Sequence, residues 1–337
     1  MTKKKIYINS SFWPAHLGSL VAEVAQAIDS LKKVAEVEIC SPKTEDEIIQ
    51  RIRNIDAAIP QLKTKWVPFL SAANRLQMIQ APAQGRVFLN VKACTKYGVL
   101  CCNVQNAGAE SVAQHAFALM LTLTKHVAYD DRAIRRGILQ RSIGMELNGK
   151  TLGIIGLGGV GGRVALKARV AFNMRILAYD PYLPWGTEQR YGAELVDLDT
   201  LLHEADVIVV CALLTSETHH LLSVKQLEMI KCTAILVNMA GAVVDEKALI
   251  NLIQKKGIGG VGIDVLETDP LPTTFTTLPT IRALHAVSEV DVVITPHSSR
   301  QTLEATIQSR IAAIKNIARF VNGQRPFWIL NPTVLGK

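Results

Sequence analysis

Residues 151–162 read TLGIIGLGGVGG, with Gly156, Gly158 and Gly161 in the spacing G-x-G-x-x-G. The apolar run 152–155 has the length and branching of a buried strand. An Ala/Val/Leu-rich stretch at helical period follows over 164–172. Strand, glycine turn and helix in that order make the spacing a dinucleotide fingerprint rather than a chance triplet. Gly156 permits the tight turn, Gly158 removes a Cβ that would block a pyrophosphate, and Gly161 lets helix and strand pack closely. The free N–H groups and positive end of the helix then face the phosphates. A second strand, 175–179, ends at Asp180, nineteen residues past Gly161. A carboxylate there accepts hydrogen bonds from both ribose hydroxyls and repels a 2′-phosphate, which favours NAD over NADP. The competing reading is a glycine-rich βα turn followed by a chance acid.

Composition narrows the class. At 337 residues the chain suits two domains, and 49% hydrophobic content supplies large cores. No apolar run reaches the roughly 20 residues that span a bilayer, so no membrane association is expected. Lys3–Lys5 precede a strand-like run rather than a signal-peptide core, which points to a cytoplasmic protein. Cys40, Cys94, Cys101, Cys102, Cys211 and Cys232 lack metal-ligand spacing and read as reduced thiols, with no metal site. The net charge of +8 is spread along the chain, without a basic helix or aromatic-basic interleaving, so nucleic-acid binding is not supported. A mild positive field suits a small anionic substrate.

Strand and helix alternate over 3–103. Strands are expected at 5–8, 34–39, 57–59, 76–80 and 99–103, with an amphipathic helix at 17–31 and a Thr44/Glu47 capping box opening another. A small parallel sheet covered by helices on both faces follows. One long helix is expected over 110–136. After Asp180 the β-α units repeat, ending in strand 292–295, Pro296-His297 and a terminal helix over 302–321. The stretch 268–291, rich in Pro and Thr, is the least regular.

Ligands of open parallel sheets bind beyond the carboxyl ends of the strands. Asp180, Asn238, Asp264 and His297 stand at such ends. An imidazole titrates near neutral pH, so His297 is a candidate to give a proton to a carbonyl oxygen and retrieve it. It needs a carboxylate neighbour, and Asp269 and Glu267 are the nearest candidates. The other histidines read as structural.

NGKTLGIIGLGGVGGRVA, LAYDPY, LLTSETHHLL, VVDEKAL, GIDVLETDPLP, TPH and NGQRPFWILNP, in that order, resemble the D-isomer-specific 2-hydroxyacid dehydrogenases. The resemblance runs with gaps over most of the chain. It implies an α/β protein of two doubly wound parallel-sheet domains. A Rossmann-type NAD domain, 106–302, is inserted into a smaller flavodoxin-like substrate domain formed by 1–105 and 303–337. It implies a homodimer, and hydride transfer between NAD(H) and a small 2-hydroxy or 2-oxo acid. His297 falls on the family's acid-base histidine. Its carboxylate partner falls on Asp269, one methylene shorter than the usual Glu, with Glu267 as the alternative. Asp264 falls on the residue that holds the nicotinamide carboxamide. Gly156, Gly158, Gly159, Val160, Gly161, Asp180, Leu213, Met239 and Ala240 fall on the remaining cofactor-binding positions.

Two departures stand out. The family pattern N-x-[AS]-R-G-x-x-V-D carries an arginine that grips the substrate's carboxylate. This chain reads Asn238-Met-Ala-Gly241-Ala-Val-Val-Asp245, one residue shorter, and the missing residue is the arginine. A guanidinium fork is rarely imitated by another side chain. The substrate-binding glycine turn appears as APAQGRVFLNV, 81–91, keeping Gly85 and adding Arg86. Arg86 is either a substitute cation in the cleft or a solvated surface arginine. Three functions therefore stand: a dehydrogenase with an atypical substrate anchor, a dinucleotide-binding regulator or sensor with little turnover, and an oxidoreductase for a substrate other than an α-keto acid.

Overall fold

Short, mostly apolar strands build two parallel sheets. The computed structural model describes residues 3–10, 21–40, 44–60, 70–83, 89–139, 141–267, 283 and 291–336. The chain divides into two units, Met1–Gly108 with Thr302–Lys337, and Ala109–Gln301.

The first unit runs β1 (Lys4–Asn9), α1 (Val21–Val34), β2 (Ala35–Cys40), α2 (Glu45–Ile52), β3 (Ala57–Ile59), β4 (Met78–Gln80), α3 (Val91–Lys96) and β5 (Leu100–Cys102). Its strands lie in the order β2-β1-β3-β4-β5, all parallel, the flavodoxin-like order. Side chains alternate across the sheet. Ile6 and Ile8 join Val24, Ile28 and Leu31 of α1 on one face, while Tyr7 joins Ile52 and Ile79 on the other. Ile314 and Ile317, from the helix Leu303–Val321 that returns the chain to this unit, complete the first face. Each fully buried aliphatic side chain contributes about 1.5–3 kcal/mol. Thr44 caps α2 by accepting the Glu47 amide at 3.2 Å.

The second unit contains α4 (Ala109–Thr124), α5 (Val127–Arg135), β6 (Thr151–Ile155), α6 (Gly161–Phe172), β7 (Arg175–Tyr179), α7 (Thr187–Tyr191), β8 (Glu194–Leu195), α8 (Leu198–Glu204), β9 (Val207–Val210), α9 (Val224–Leu227), β10 (Ile235–Asn238), α10 (Glu246–Gln254), β11 (Gly260–Ile263) and β12 (Asp291–Ile294). Its sheet order, β12-β11-β10-β9-β6-β7-β8, is parallel throughout and reverses direction between β6 and β9. That is the Rossmann order with one further strand, and the reversal opens a crevice beyond the carboxyl ends of β6 and β9. β9, VIVV, is buried along its whole length because both faces are covered. Val207 and Val209 pack under α4, and Ile208 and Val210 pack against α8 and α10.

The single helix expected over 110–136 is two. α4 stops at Thr124, and His126 takes a left-handed φ of 53° before α5 begins. The Thr124 carbonyl, which a continuing helix would need, instead accepts the Met145 amide at 2.7 Å. A Cβ on Gly144 would collide with that same oxygen, so the crossing segment needs glycine there.

Asp206 ties the base of the sheet, accepting the Thr151 amide at 2.9 Å and the Lys231 ammonium at 2.9 Å. Burial alone pushes its carboxyl up, but the Thr151 N–H and Lys231 outweigh burial and hold it below the usual range. A depressed carboxyl stabilises the fold above its unfolded pKa of about 4, and that contribution is lost as pH falls through the folded value. Asp206→Asn is expected to cost about 1–2 kcal/mol, lowering the melting temperature by roughly 2–8 °C at neutral pH. The difference from wild type should shrink below about pH 4. Thermal scans at pH 7 and pH 3.5 check this.

Candidate functional site

The glycine turn leaves β6 under strict spatial limits. Gly156 has a φ of 93°, donates to the Tyr179 carbonyl at 2.9 Å, and has the Ala212 backbone 2.7 Å from where a Cβ would stand. Gly161 is closed equally tightly: its Cβ would collide with the Gly156 carbonyl oxygen. Gly158 differs: among the described residues, nothing beyond its chain neighbours lies within 4 Å of its Cβ position. The turn is packed from behind and bare in front. Val160 is the first cap residue of α6, and the Gly159 carbonyl accepts from Arg163 at 2.7 Å.

Asp180 closes one side of this turn. Its Oδ2 accepts the Leu157 amide at 2.9 Å and its Oδ1 the Tyr182 amide at 3.1 Å. Both oxygens keep lone pairs for further donors. The Tyr182 hydroxyl hydrogen-bonds Glu217 on the loop after β9, so the loops beyond β7 and β9 are joined. Leu213 on that second loop is 61% exposed, and its carbonyl accepts the Thr218 hydroxyl at 2.6 Å. Burial pushes the Cys211 thiol, just past β9, up to about 12, so it stays neutral.

Beyond β10 the loop is short and self-closed. The Asn238 side chain accepts the Ala240 amide at 3.0 Å and donates to the Gly241 carbonyl at 3.0 Å. Gly241 has a φ of 62°, and a Cβ there would press on Val265 at 3.1 Å. Met239 and Ala240 are half-buried in this loop, with the Met239 amide on the Val210 carbonyl at 3.0 Å.

His297 is exposed at the turn after β12, at a φ of 51°, with its amide 2.8 Å from the Asp264 carbonyl. Left-handed backbone on a non-glycine residue is strained and persists only where its surroundings over-determine it. Here they do. The Asp264 side chain is fully buried and accepts the Thr295 hydroxyl at 2.6 Å, the Ser298 amide at 2.9 Å and the Ser299 amide at 3.2 Å.

Residues 117–299 match the family model described as D-isomer specific 2-hydroxyacid dehydrogenase, NAD binding domain. The chain is 32% identical to a glyoxylate reductase of Pyrococcus furiosus, over 91% of this chain and 93% of that one. The chain belongs to the D-isomer-specific 2-hydroxyacid dehydrogenase family. It is also 32% identical to a D-3-phosphoglycerate dehydrogenase of Methanocaldococcus jannaschii, over 88% of this chain but only 56% of that longer relative. A D-lactate dehydrogenase from Aquifex aeolicus, solved with NAD and lactic acid, superposes with a TM-score of 0.74 at 27% identity, over 94% and 96% of the two chains.

As a member of this family the protein is an NAD-dependent dehydrogenase acting on a CH–OH group. Its own residues fit the cofactor. Gly158 is the one fingerprint glycine whose missing Cβ leaves open space, which is where a pyrophosphate must approach the backbone. No described helix is long and apolar enough to cross a membrane.

Two carboxylates of the expected site have partners within this unit. Asp264, expected to contact the carboxamide, is buried and accepts from Thr295, Ser298 and Ser299. Glu267, the alternative partner for His297, is held by His220 at 2.5 Å, with the His219 ring stacked 3.9 Å from that of His220. Asp269, Gly85 and Arg86 lie outside the described residues, as does nearly all of 268–290. The sequence reading missed Thr295 and His115, whose Nε2 lies 2.9 Å from the Thr295 hydroxyl. The threonine of TPH was a visible signal; its partner 180 residues earlier was not.

Proposed function

We propose that this protein interconverts a small 2-oxo acid and its D-2-hydroxy acid, with His297 as the acid-base group and a cation other than the family arginine holding the substrate. When bound, NAD(H) supplies or accepts the hydride at the 2-carbon. The bare backbone at Gly158 and the amino end of α6 receive its pyrophosphate, and Asp180 receives the adenosine ribose. In reduction His297 gives its proton to the carbonyl oxygen, and in oxidation it takes the proton back. Asp269 is the carboxylate partner of His297 in this reading.

The observation that carries the proposal is the placement of His297. An exposed imidazole stands on the same carboxyl edge of the sheet as the glycine turn, and the polar groups behind it are fixed. Full-length similarity to a glyoxylate reductase supports starting with two- and three-carbon acids. Arg86 is the first candidate anchor. Arg300, three residues past His297, is the second: burial lowers its pKa, so its charge is kept out of bulk water.

The test mixes purified protein and NADH with glyoxylate, pyruvate and hydroxypyruvate and follows the loss of NADH absorbance. Arg86→Ala is expected to raise KM by about 10–100-fold, the equivalent of one charge-assisted hydrogen bond. If Arg86→Ala leaves KM unchanged, the same loss in Arg300→Ala moves the anchor there. The closed, arginine-free loop 238–241 favours a second reading, a dinucleotide-binding regulator. Tight NADH binding with no turnover across the panel would select it. A homodimer belongs to the first reading, and exposed Val127, Ile134, Ile138, Leu139 and Ile143 supply apolar surface for one.

A further inference from the structure

We infer that Thr295, braced by His115, is a positioning residue that aims the His297 imidazole by way of Asp264; the inference rests on the reading of His297 as the acid-base group. The hydrogen-bond directions follow from the atoms present. A threonine hydroxyl has one hydrogen. Asp264 Oδ1 is 2.6 Å from it, whereas the other acceptor in range, the Ile263 carbonyl, is 3.5 Å away. The hydrogen goes to Asp264, so the hydroxyl oxygen accepts from His115, and His115 carries its proton on Nε2 at 2.9 Å. His115 Nε2 is also 3.5 Å from Asp264 Oδ1, giving the buried carboxylate its nearest ring N–H.

Asp264 in turn fixes the catalytic turn at consecutive points. Its main-chain carbonyl accepts the His297 amide, and its carboxylate accepts the amides of Ser298 and Ser299. Ser111 takes the other side, donating to the Ser299 carbonyl at 2.6 Å. These bonds hold His297 at its φ of 51°. Remove the Thr295 hydroxyl and the carboxylate loses its shortest bond while the His115 N–H loses its acceptor. The turn is then free to relax toward ordinary backbone, and the imidazole swings from its line to the substrate. The glycine turn and Asp180 sit on β6 and β7 and share none of these bonds, so cofactor affinity should be untouched.

The test compares Thr295→Val, which keeps shape and loses the hydroxyl, with Thr295→Ser, which keeps the hydroxyl, and with His297→Gln as reference. Thr295→Val should lower kcat by about 10–100-fold, as expected for misplacing a reacting group by an ångström. NADH Kd should stay within about twofold of wild type, and Thr295→Ser should recover most of kcat. An activity-independent arm follows the imidazole C–H resonance that disappears in His297→Gln: its chemical shift should move in Thr295→Val and return in Thr295→Ser. Should Thr295→Val fail to fold, His115→Ala against His115→Gln carries the same comparison, because only Gln keeps an N–H donor. A wild-type kcat and an unmoved resonance in Thr295→Val, with His297→Gln inactive, overturn the inference and leave the reading of His297 standing. Equal losses in Thr295→Val and Thr295→Ser also overturn it. Full activity in His297→Gln removes the reading, and this inference with it.

Discussion

His297→Gln is expected to lower kcat by about 10²–10⁴-fold, the usual contribution of a positioned general acid-base group. Glutamine preserves polarity and approximate size but neither donates nor recovers a proton near neutral pH. The fold should tolerate the change. His297 is exposed, and the bonds that fix its turn come from its backbone amide and from Ser298 and Ser299. The melting temperature and NADH affinity should therefore match wild type. The same group gives the proton in reduction and takes it back in oxidation, so the variant should be slow in both directions. Rates measured in both directions check this. A variant that keeps both rates would place the proton donor elsewhere.

Gly158→Ala should raise the NADH Kd by about 10–100-fold with almost no change in melting temperature. Among the described residues, the added methyl meets nothing within 4 Å beyond its chain neighbours, so the fold there does not resist it. It does stand where a pyrophosphate has to meet the backbone, and losing even one charge-assisted N–H contact costs about 1.5–3 kcal/mol. Gly161→Ala is a poor substitute for this experiment, because its methyl would collide with the Gly156 carbonyl and disturb the turn itself. NADH fluorescence titration beside a thermal scan separates the two effects. Unchanged affinity in Gly158→Ala would mean that the diphosphate runs elsewhere.

The second unit was legible wherever local sequence and tertiary role agree. β9 is a run of four β-branched residues that follows Asp206, and α8 is capped by Asp197, whose side chain accepts the Thr200 amide at 2.8 Å. The fingerprint is legible because Gly156 and Gly161 each answer a local steric demand, while Gly158 leaves the turn open. The break between α4 and α5 was not legible. Nothing at Lys125 or His126 stops a helix; the Thr124 carbonyl is claimed by Met145, twenty-one residues further on. The partners of Asp264 and Glu267 were hidden for the same reason: Thr295 lies 31 residues from the one and His220 lies 47 residues from the other.

The closed loop after β10 bears on whether the family arginine can be restored. Asn238 spans the loop at its present length, with its amide on the Gly241 carbonyl, while Gly241 lies against Val265 at a backbone angle suited to glycine. Writing arginine over Ala240 or Gly241 would leave the bridge one residue short, and at Gly241 would also press on Val265. Only an insertion, with the bridge rebuilt around it, gives the spacing of the family pattern. The short loop thus acts as a steric lock: no single substitution supplies a guanidinium at that spacing.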